Sequence, residues 1–440
     1  MANRAAIAGV AVTPVAVPDP PLLNAAGCHE PFALRCIVEI EDGAGRVGLG
    51  EAYGDDATRQ ALEAAAPALR GADPWNLASI WAAVAGASGG TGGKTPAPDG
   101  AEGAALNAPG AVRSRAANAY AALEVACLDL QGRQADVPVA ELLGGRHRPA
   151  VEFSAYLFYK FGRHAPRDPA AQGAPPPADP WGEALDPAGI VAQARRMAER
   201  HGFGTFKLKG GVFPPEEEAA AVEALRDAFP RAPLRLDPNA VWSVPTAVRI
   251  GAALRESGGL EYYEDPTAGM EGMAEARRAS GLPCATNMCV TSFGDLPRAV
   301  ALRPVDFILS DHHFWGGLRA TVRLSAFCRD FGLGVSMHSN THLGVSLAAM
   351  VHVAAAMPHL TAACDTHYPW QEGHDVIAEA WRFEEGRLRV PEGPGLGVTL
   401  DRRRLAAMHE AWQRCGIRRR NDRDEMRRHV PGWEYRNPRW

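Results

Sequence analysis

From about residue 150 the sequence repeats one unit eight times: a short apolar run followed, in most cases, by an amphipathic helical stretch. The runs are VEFSAYLF, TFKLK, LRLD, LEYYE, PCATN, FILSD, LGVSMH and LTAACD; PEEEAAAVEALRDAF, VPTAVRIGAALRES and LRATVRLSAFCRDFG are representative helical stretches. Eight β-α units over about 250 residues predict an α/β fold built on a (β/α)8 TIM-type barrel. A doubly wound sheet competes, but it does not usually need eight repeats at so even a pitch.

Six of the eight runs end on, or just short of, a polar residue: Lys209, Asp237, Glu264, Asn287, Asp311 and His338. The intervals are 28, 27, 23, 24 and 27 residues, each about one β-α unit. In a barrel the C-terminal strand ends open onto one face, where active sites lie, so these scattered residues converge on one mouth. In TFKLKGG the period of a strand puts Lys207 beside Lys209 on one face, a costly placement for like charges.

Composition excludes functions rather than naming one. The 440 residues are 46% hydrophobic and 22% charged, as in ordinary globular proteins, and suffice for a large barrel with an appendage. A net charge of −5 gives no electrostatic basis for binding nucleic acid. The opening MANRAAIAGVAVTPVAVPDP lacks the long apolar core of a signal peptide. The longest apolar stretch, LGVSLAAMVHVAAAM, is too short to span a bilayer and carries Ser346 and His352, so it reads as a buried amphipathic helix. The eight cysteines (Cys28, Cys36, Cys127, Cys284, Cys289, Cys328, Cys364 and Cys415) include no C-x-x-C pair, and several sit in apolar runs as small hydrophobes. A reduced, cytoplasmic protein with no membrane or nucleic-acid partner is the expectation.

Before about residue 145 the signals are mixed. LRCIVEIED and GRVGLGEAYG form a predicted hairpin, and RSRAANAYAALEVACLDLQGRQA has helical spacing. Two insertions, GASGGTGGKTPAPDGAEGAALNAPGA and RHAPRDPAAQGAPPPADPWGE, read as long loops, mobile or lid-forming.

The strand-end residues make chemical sense together. Asp237, Glu264 and Asn287 are hard oxygen donors from successive strands and suit Mg2+. Lys209 flanks them on one side. On the other, Asp311 can fix the tautomer of His338 and raise its basicity. Two bases thus flank a metal that would acidify the α-proton of a bound carboxylate. A second ammonium and a divalent cation nearby should depress the pKa of Lys209, with Lys207 supplying that charge and contacting the substrate carboxylate. For Asp365 and His367, in CDTHYPWQEG, a loop role competes equally; Trp315 and Trp370 read as packing residues.

The order Lys-x-Lys, Asp, Glu, Asn, Asp, His resembles the enolase superfamily, and within it the glucarate dehydratase group. The stretches that carry the resemblance are FKLKGG, LDPNAVWS, YYEDP, LPCATNM, SDHHFWGGLRATVRL, MHSNTHLGVSLAAMVHVAAA, DTHYPWQEG and RNDRDEMRRHVPGWEY, with looser agreement at GCHEPF, GLGEAYG and LEVACLDLQGR. The resemblance implies an N-terminal α+β capping domain (1–145), an enolase-like barrel (146–395) and a C-terminal segment (396–440) that packs back on the cap. It implies a Mg2+-dependent hydro-lyase acting on D-glucarate and L-idarate to give 5-keto-4-deoxyglucarate. Lys209 and His338 would be the two bases, Asp311 the residue that orients His338, and Asp237, Glu264 and Asn287 the metal ligands. Lys207, Asn239, Ser339, Asn340 and His367 would contact substrate; from the cap, His29 and Tyr156 would match further substrate positions, and Arg420 would hold the distal carboxylate. His338 would remove the C5 proton of D-glucarate, or Lys209 that of L-idarate, and His338 would protonate the departing C4 hydroxyl. By analogy the chain is a homo-oligomer.

The segment TAGMEGMAEARR is shorter than the family pattern, and the missing piece carries, in some family members, an acidic residue that binds metal; the resemblance then leaves Glu264 in that role, with Glu271 as the alternative. Dehydration or epimerisation of another aldarate or aldonate, and a weakly active paralogue that binds an active dehydratase, are the competing readings.

Overall fold

The computed structural model describes residues 4–87, 115–166 and 180–440. Most of both Gly/Pro/Ala-rich insertions lies outside these residues, and so does the reading of them as long loops. Eight parallel strands coincide with the eight apolar runs: Ala150–Phe158, Phe206–Lys209, Leu234–Asp237, Tyr262–Glu264, Cys284–Thr286, Phe307–Ser310, Gly334–Met337 and Cys364–Thr366. The first seven pair in sequence order, and the eighth returns to the first with Asp365 opposite Ser154. Between the seventh and eighth the ladder gives way to a Thr361 N–H bond to Val335 O (3.0 Å) and a Ser336 hydroxyl bond to Ala363 O (2.8 Å). The second to eighth strands are buried along nearly their whole length, with helices outside and side chains inside, which is why their sequences show little alternation.

Side-chain caps start two of the long barrel helices. Asp186 accepts from Gly189 N to cap the helix Pro187–His201, and Gly202 closes it at φ +73°. Ser243 caps Val244–Glu256 in the same way. The helix Gly344–Ala356 departs from its expected amphipathic character: all 13 residues are buried. It is wedged between the barrel and the N-terminal domain, so it has no solvent face for polar residues to occupy.

The N-terminal domain is an antiparallel sheet of Ile7–Pro18, Phe32–Asp42 and Val47–Tyr53, in that order, with helices Asp56–Leu69, Leu77–Ala87 and Arg115–Ala135. The last of these lies so close to the sheet that a Cβ on Gly48 or Gly50 would strike its backbone carbonyls at Ala126 and Ala122. The helix Arg402–Cys415 packs on the first strand, where Pro14 O accepts from His409 Nδ1 at 2.8 Å, and Ala16, Cys415 and Ile417 form a small apolar cluster. The final residues reach the barrel mouth: Arg439 donates to Gly211 O (3.0 Å) and Ala25 O (2.8 Å). Among the described residues all eight cysteines are free, and no helix is long and apolar enough to cross a membrane.

Candidate active site

The strand Phe206–Lys209 turns both lysines into the barrel. Lys207, fully buried, places Nζ 2.5 Å from Glu264 Oε2, 2.7 Å from Asp365 Oδ2 and 3.5 Å from Asp237 Oδ2. Lys209 Nζ lies 2.7 Å from that same Asp237 oxygen. The like charges are therefore met by a shared carboxylate rather than by each other. Burial works against the Lys207 ammonium, but Asp365 and Glu264 outweigh it and raise its pKa well above the ordinary lysine value. The two glycines that follow have a steric reason: a Cβ on Gly210 would meet the Glu218 carboxylate, and one on Gly211 (φ +75°) would meet Pro238 O.

Asp237, Glu264 and Asn287 come together as the strand ends require. Asn287 Nδ2 donates to Glu264 Oε1 at 2.8 Å, and Lys207 links Glu264 to Asp237. Burial opposes ionisation of Asp237, but Lys209 and Lys207 hold it down at about 2. Glu264 goes the other way: burial first, then the charge of Asp237, push its carboxyl well above the usual range. Asp237 and Glu264 crowd two carboxyl groups into one buried site, so that each opposes the other's ionisation, and two carboxylates with an amide are a hard-oxygen donor set. Both features fit a divalent cation such as Mg2+. Asp265, at φ +36°, accepts from Thr286 Oγ1 (2.5 Å) and Asn287 N (2.9 Å) and so fixes the Asn287 backbone. Glu271 sits exposed on a helix, paired with Arg298 at the surface.

Across the mouth, Asp311 Oδ2 lies 3.1 Å from His338 Nδ1. A carboxylate accepts only, so Nδ1 carries the hydrogen and Nε2 is the lone-pair nitrogen. Burial depresses the His338 pKa, with Asp311 opposing and both lysines adding to the fall. Of the other expected contact residues, Tyr156 belongs not to the cap but to the first barrel strand, opposite Lys207; its OH is 3.4 Å from Asp237 Oδ2 and its ring 4.5 Å from Lys207 Nζ. Ser339 Oγ accepts from His367 N (3.1 Å), and Asn340 Nδ2 donates to Tyr53 OH (3.1 Å). His29 pairs with Asp19 (3.0 Å), and its ring stacks 6.4 Å from that of His367. Arg420 is held by Asp422 through two bonds of 2.6 Å. Two buried atoms, His367 Nδ1 and Asn239 Oδ1, have no hydrogen-bond partner among the described residues.

Two sets of partners, Arg235 beside Asp365 and His313 with Arg35 beside Asp311, are not singled out by the sequence. Beneath the lysines, Asp365 also binds Arg235 (3.1 Å), whose guanidinium lies 4.5 Å over the Tyr262 ring. Arg235 precedes Asp237 by two, as Lys207 precedes Lys209, so the period-two signal was present. Behind His338, Asp311 Oδ1 accepts from His313 Nδ1 (2.7 Å); His313 Nε2 in turn faces Arg35 (3.1 Å) and Ser346 Oγ (2.9 Å). Arg35 belongs to the N-terminal sheet, and no local pattern links it to the barrel.

Residues 189–404 match the family described as Enolase C-terminal domain-like, and residues 7–144 match the mandelate racemase / muconate lactonizing enzyme N-terminal domain. A Streptomyces coelicolor protein named as a probable glucarate dehydratase is 48% identical over 446 aligned positions, 100% of both chains. A solved enolase from Thermobispora bispora, complexed with magnesium and formate, superposes with a TM-score of 0.92 at 51% identity, covering 99% of this chain and 100% of that one. Another from Pseudomonas fluorescens, with bound magnesium, potassium and tartrate, gives 0.92 at 49% identity over 99% of each chain. With its barrel and its N-terminal domain both matched, the chain belongs to the enolase superfamily.

Proposed function

We propose that the protein is a Mg2+-dependent dehydratase of dicarboxylic acid sugars, acting on D-glucarate and L-idarate to give 5-keto-4-deoxyglucarate. The observation that carries this reading is that Lys209, 2.7 Å from Asp237, and His338, whose Nδ1 meets Asp311, stand at strand ends of the same barrel mouth as the Asp237–Glu264–Asn287 cluster, which suits them to be its two bases. Asp237, Glu264 and Asn287 would hold magnesium, which supplies positive charge for carboxylate oxygens that gain electrons as an α-proton leaves. Lys207 would orient the same substrate carboxylate. His338, with Nδ1–H committed to Asp311, takes the C5 proton of D-glucarate at Nε2 and returns it to the C4 hydroxyl as that group departs. Lys209 serves the opposite stereochemistry. The unpartnered polar atoms His367 Nδ1 and Asn239 Oδ1 suit the hydroxyls of a polyol chain, which both donate and accept. His29 and Arg420, each with a carboxylate partner, would read the far end. The probable glucarate dehydratase relative and the tartrate-bound relative, tartrate being a smaller hydroxy diacid, support this substrate class.

The test is a screen of purified protein with Mg2+ against a library of acid sugars, read by keto-acid formation. Turnover of D-glucarate is the expected result. Turnover confined to monocarboxylate sugars would overturn the substrate class, and no turnover on any member would point to a binding paralogue.

A further inference from the structure

Away from the barrel mouth, a second cluster of metal-ligating side chains joins three distant parts of the chain. Cys28 ends the short strand Gly27–Cys28, His164 follows the first barrel strand, and His429 closes the helix Asp422–His429. Their ligand atoms lie within 4.8 Å of one another. Glu425, one turn before His429, adds a carboxylate whose Oε1 is 3.2 Å from His164 Nδ1 and 3.9 Å from His429 Nε2.

Hydrogen placement within the cluster points to a cation. His164 Nε2 is 2.7 Å from the carbonyl oxygen of Asp19, which only accepts, so Nε2 bears the hydrogen. In the neutral ring Nδ1 is then a lone pair, and it faces the Glu425 carboxylate. Two acceptors in contact need positive charge between them. An imidazole whose second nitrogen donates to a backbone carbonyl is also the usual arrangement of a metal-bound histidine. His429 Nε2 is likewise an acceptor, taking the Ala165 amide hydrogen at 3.1 Å. Burial, then Glu425, Asp422 and Asp19, push the Cys28 thiol up, with Arg420 opposing, while Arg428 Nε lies 3.7 Å from the other Glu425 oxygen, Oε2. A bound cation reverses that balance, because a coordinating thiol is deprotonated outright.

We propose that Cys28, His164, Glu425 and His429 form a binding site for a zinc-class divalent cation. One sulfur, two imidazole nitrogens and one carboxylate oxygen match the tetrahedral donor preference of Zn2+, whereas the all-oxygen set at the barrel mouth matches Mg2+. On binding, Cys28 loses its proton to solvent, the cation takes the space between His164 and Glu425, and His429 exchanges the Ala165 amide for the cation. The occupied site would pin together the strand next to His29, the loop after the first barrel strand and the helix next to Arg420, and so fix the cap residues placed over the mouth.

The experiment uses the full chain saturated with magnesium and titrated with Co2+ as a spectroscopic substitute for zinc. A single equivalent should produce a thiolate-to-cobalt charge-transfer band in the near ultraviolet that Zn2+ abolishes. Cys28→Ser and His429→Ala should each lose the band, with circular dichroism verifying that both variants are folded. Zn2+ should raise the melting temperature of the wild type by several degrees and leave the variants unmoved, as ligand linkage requires. Absence of the band in the wild type under excess cobalt, or its survival in Cys28→Ser, overturns the assignment and leaves a proton between His164 and Glu425 as the occupant.

Discussion

One carboxylate sets the ring orientation and tautomer of two histidines. Asp311 takes the Nδ1 hydrogen of His338 with one oxygen and that of His313 with the other. Although burial opposes its charge, the two imidazoles hold its pKa well below the ordinary carboxylate range. His338 is kept neutral at neutral pH by burial and by the two lysines, and so can accept a proton. His338→Asn should therefore lower D-glucarate turnover by roughly 10²–10⁴-fold, the usual worth of a positioned base. Exchange of the L-idarate α-proton with solvent deuterium, assigned to Lys209, should persist in that variant and vanish in Lys209→Met; proton NMR in D2O distinguishes the two. Near-normal D-glucarate turnover in His338→Asn would remove it from the role. Asp311 and His338 were legible because each stands at a strand end. His313 was not: SDHHFW offers two adjacent histidines, and only the turn of the short helix His312–Trp315 brings the second onto Asp311.

At the scale of the element, the helix Gly344–Ala356 shows how burial on every side converts a titratable residue into a structural one. His352 accepts the Ala140 N–H at Nδ1 (3.2 Å), with Nε2 3.2 Å from Leu396 O. Burial lowers its pKa to about 4, the Leu396 carbonyl opposing. An unfolded histidine takes up its proton near 6.5, while the folded one resists until about 4. The stability contributed by neutral His352 is thus present above 6.5 and lost as pH falls toward 4. At pH 5 the loss is about 2 kcal/mol, at 1.36 kcal/mol per pH unit. Urea denaturation should show the stability gap between the wild type and His352→Asn narrowing by about that amount from pH 7 to pH 5. A gap that does not change with pH would refute this account. The apolar run itself was plain in the sequence; that it has no wet face follows from the N-terminal domain packed over it.

For the molecule as a whole, the N-terminal domain is fastened to the barrel by buried carboxylates set at helix N-termini. Glu51 accepts from Leu343 N and Ser346 N, each at 2.8 Å, at the start of Gly344–Ala356. Glu124 does the same for Leu318 N (2.6 Å) and Arg319 N (3.2 Å), at the start of Leu318–Asp330. Free backbone N–H groups and the helix dipole favour negative charge at both places. The two differ in their cation. Burial is the largest influence on each, but Arg35, 2.7 Å from Glu51, turns the balance and lowers the Glu51 pKa, whereas Glu124 is pushed up to about 7. Glu51→Gln strands a buried guanidinium and should cost about 3–5 kcal/mol. Glu124→Gln strands no charge and should cost about 1–3 kcal/mol. Urea midpoints compare them, and equal costs would show that Arg35 is not what distinguishes the latches. Because Arg35 also touches His313, Glu51→Gln should reduce turnover as well.

The sequence by itself determined the barrel, its eight strands and the convergence of Lys209, Asp237, Glu264, Asn287, Asp311 and His338. Those depend on local periodicity and on a topology in which all strands end on one face. Only the tertiary structure decided that Lys207 is buried among three carboxylates, that Asp365 and Arg235 floor the site, and that Arg35 and His313 stand behind the His338 pair. Charges brought from opposite sides of a barrel, or from another domain, have no period in the chain. Their partners are set by packing, because a buried charge must find an opposite one wherever the fold has placed it.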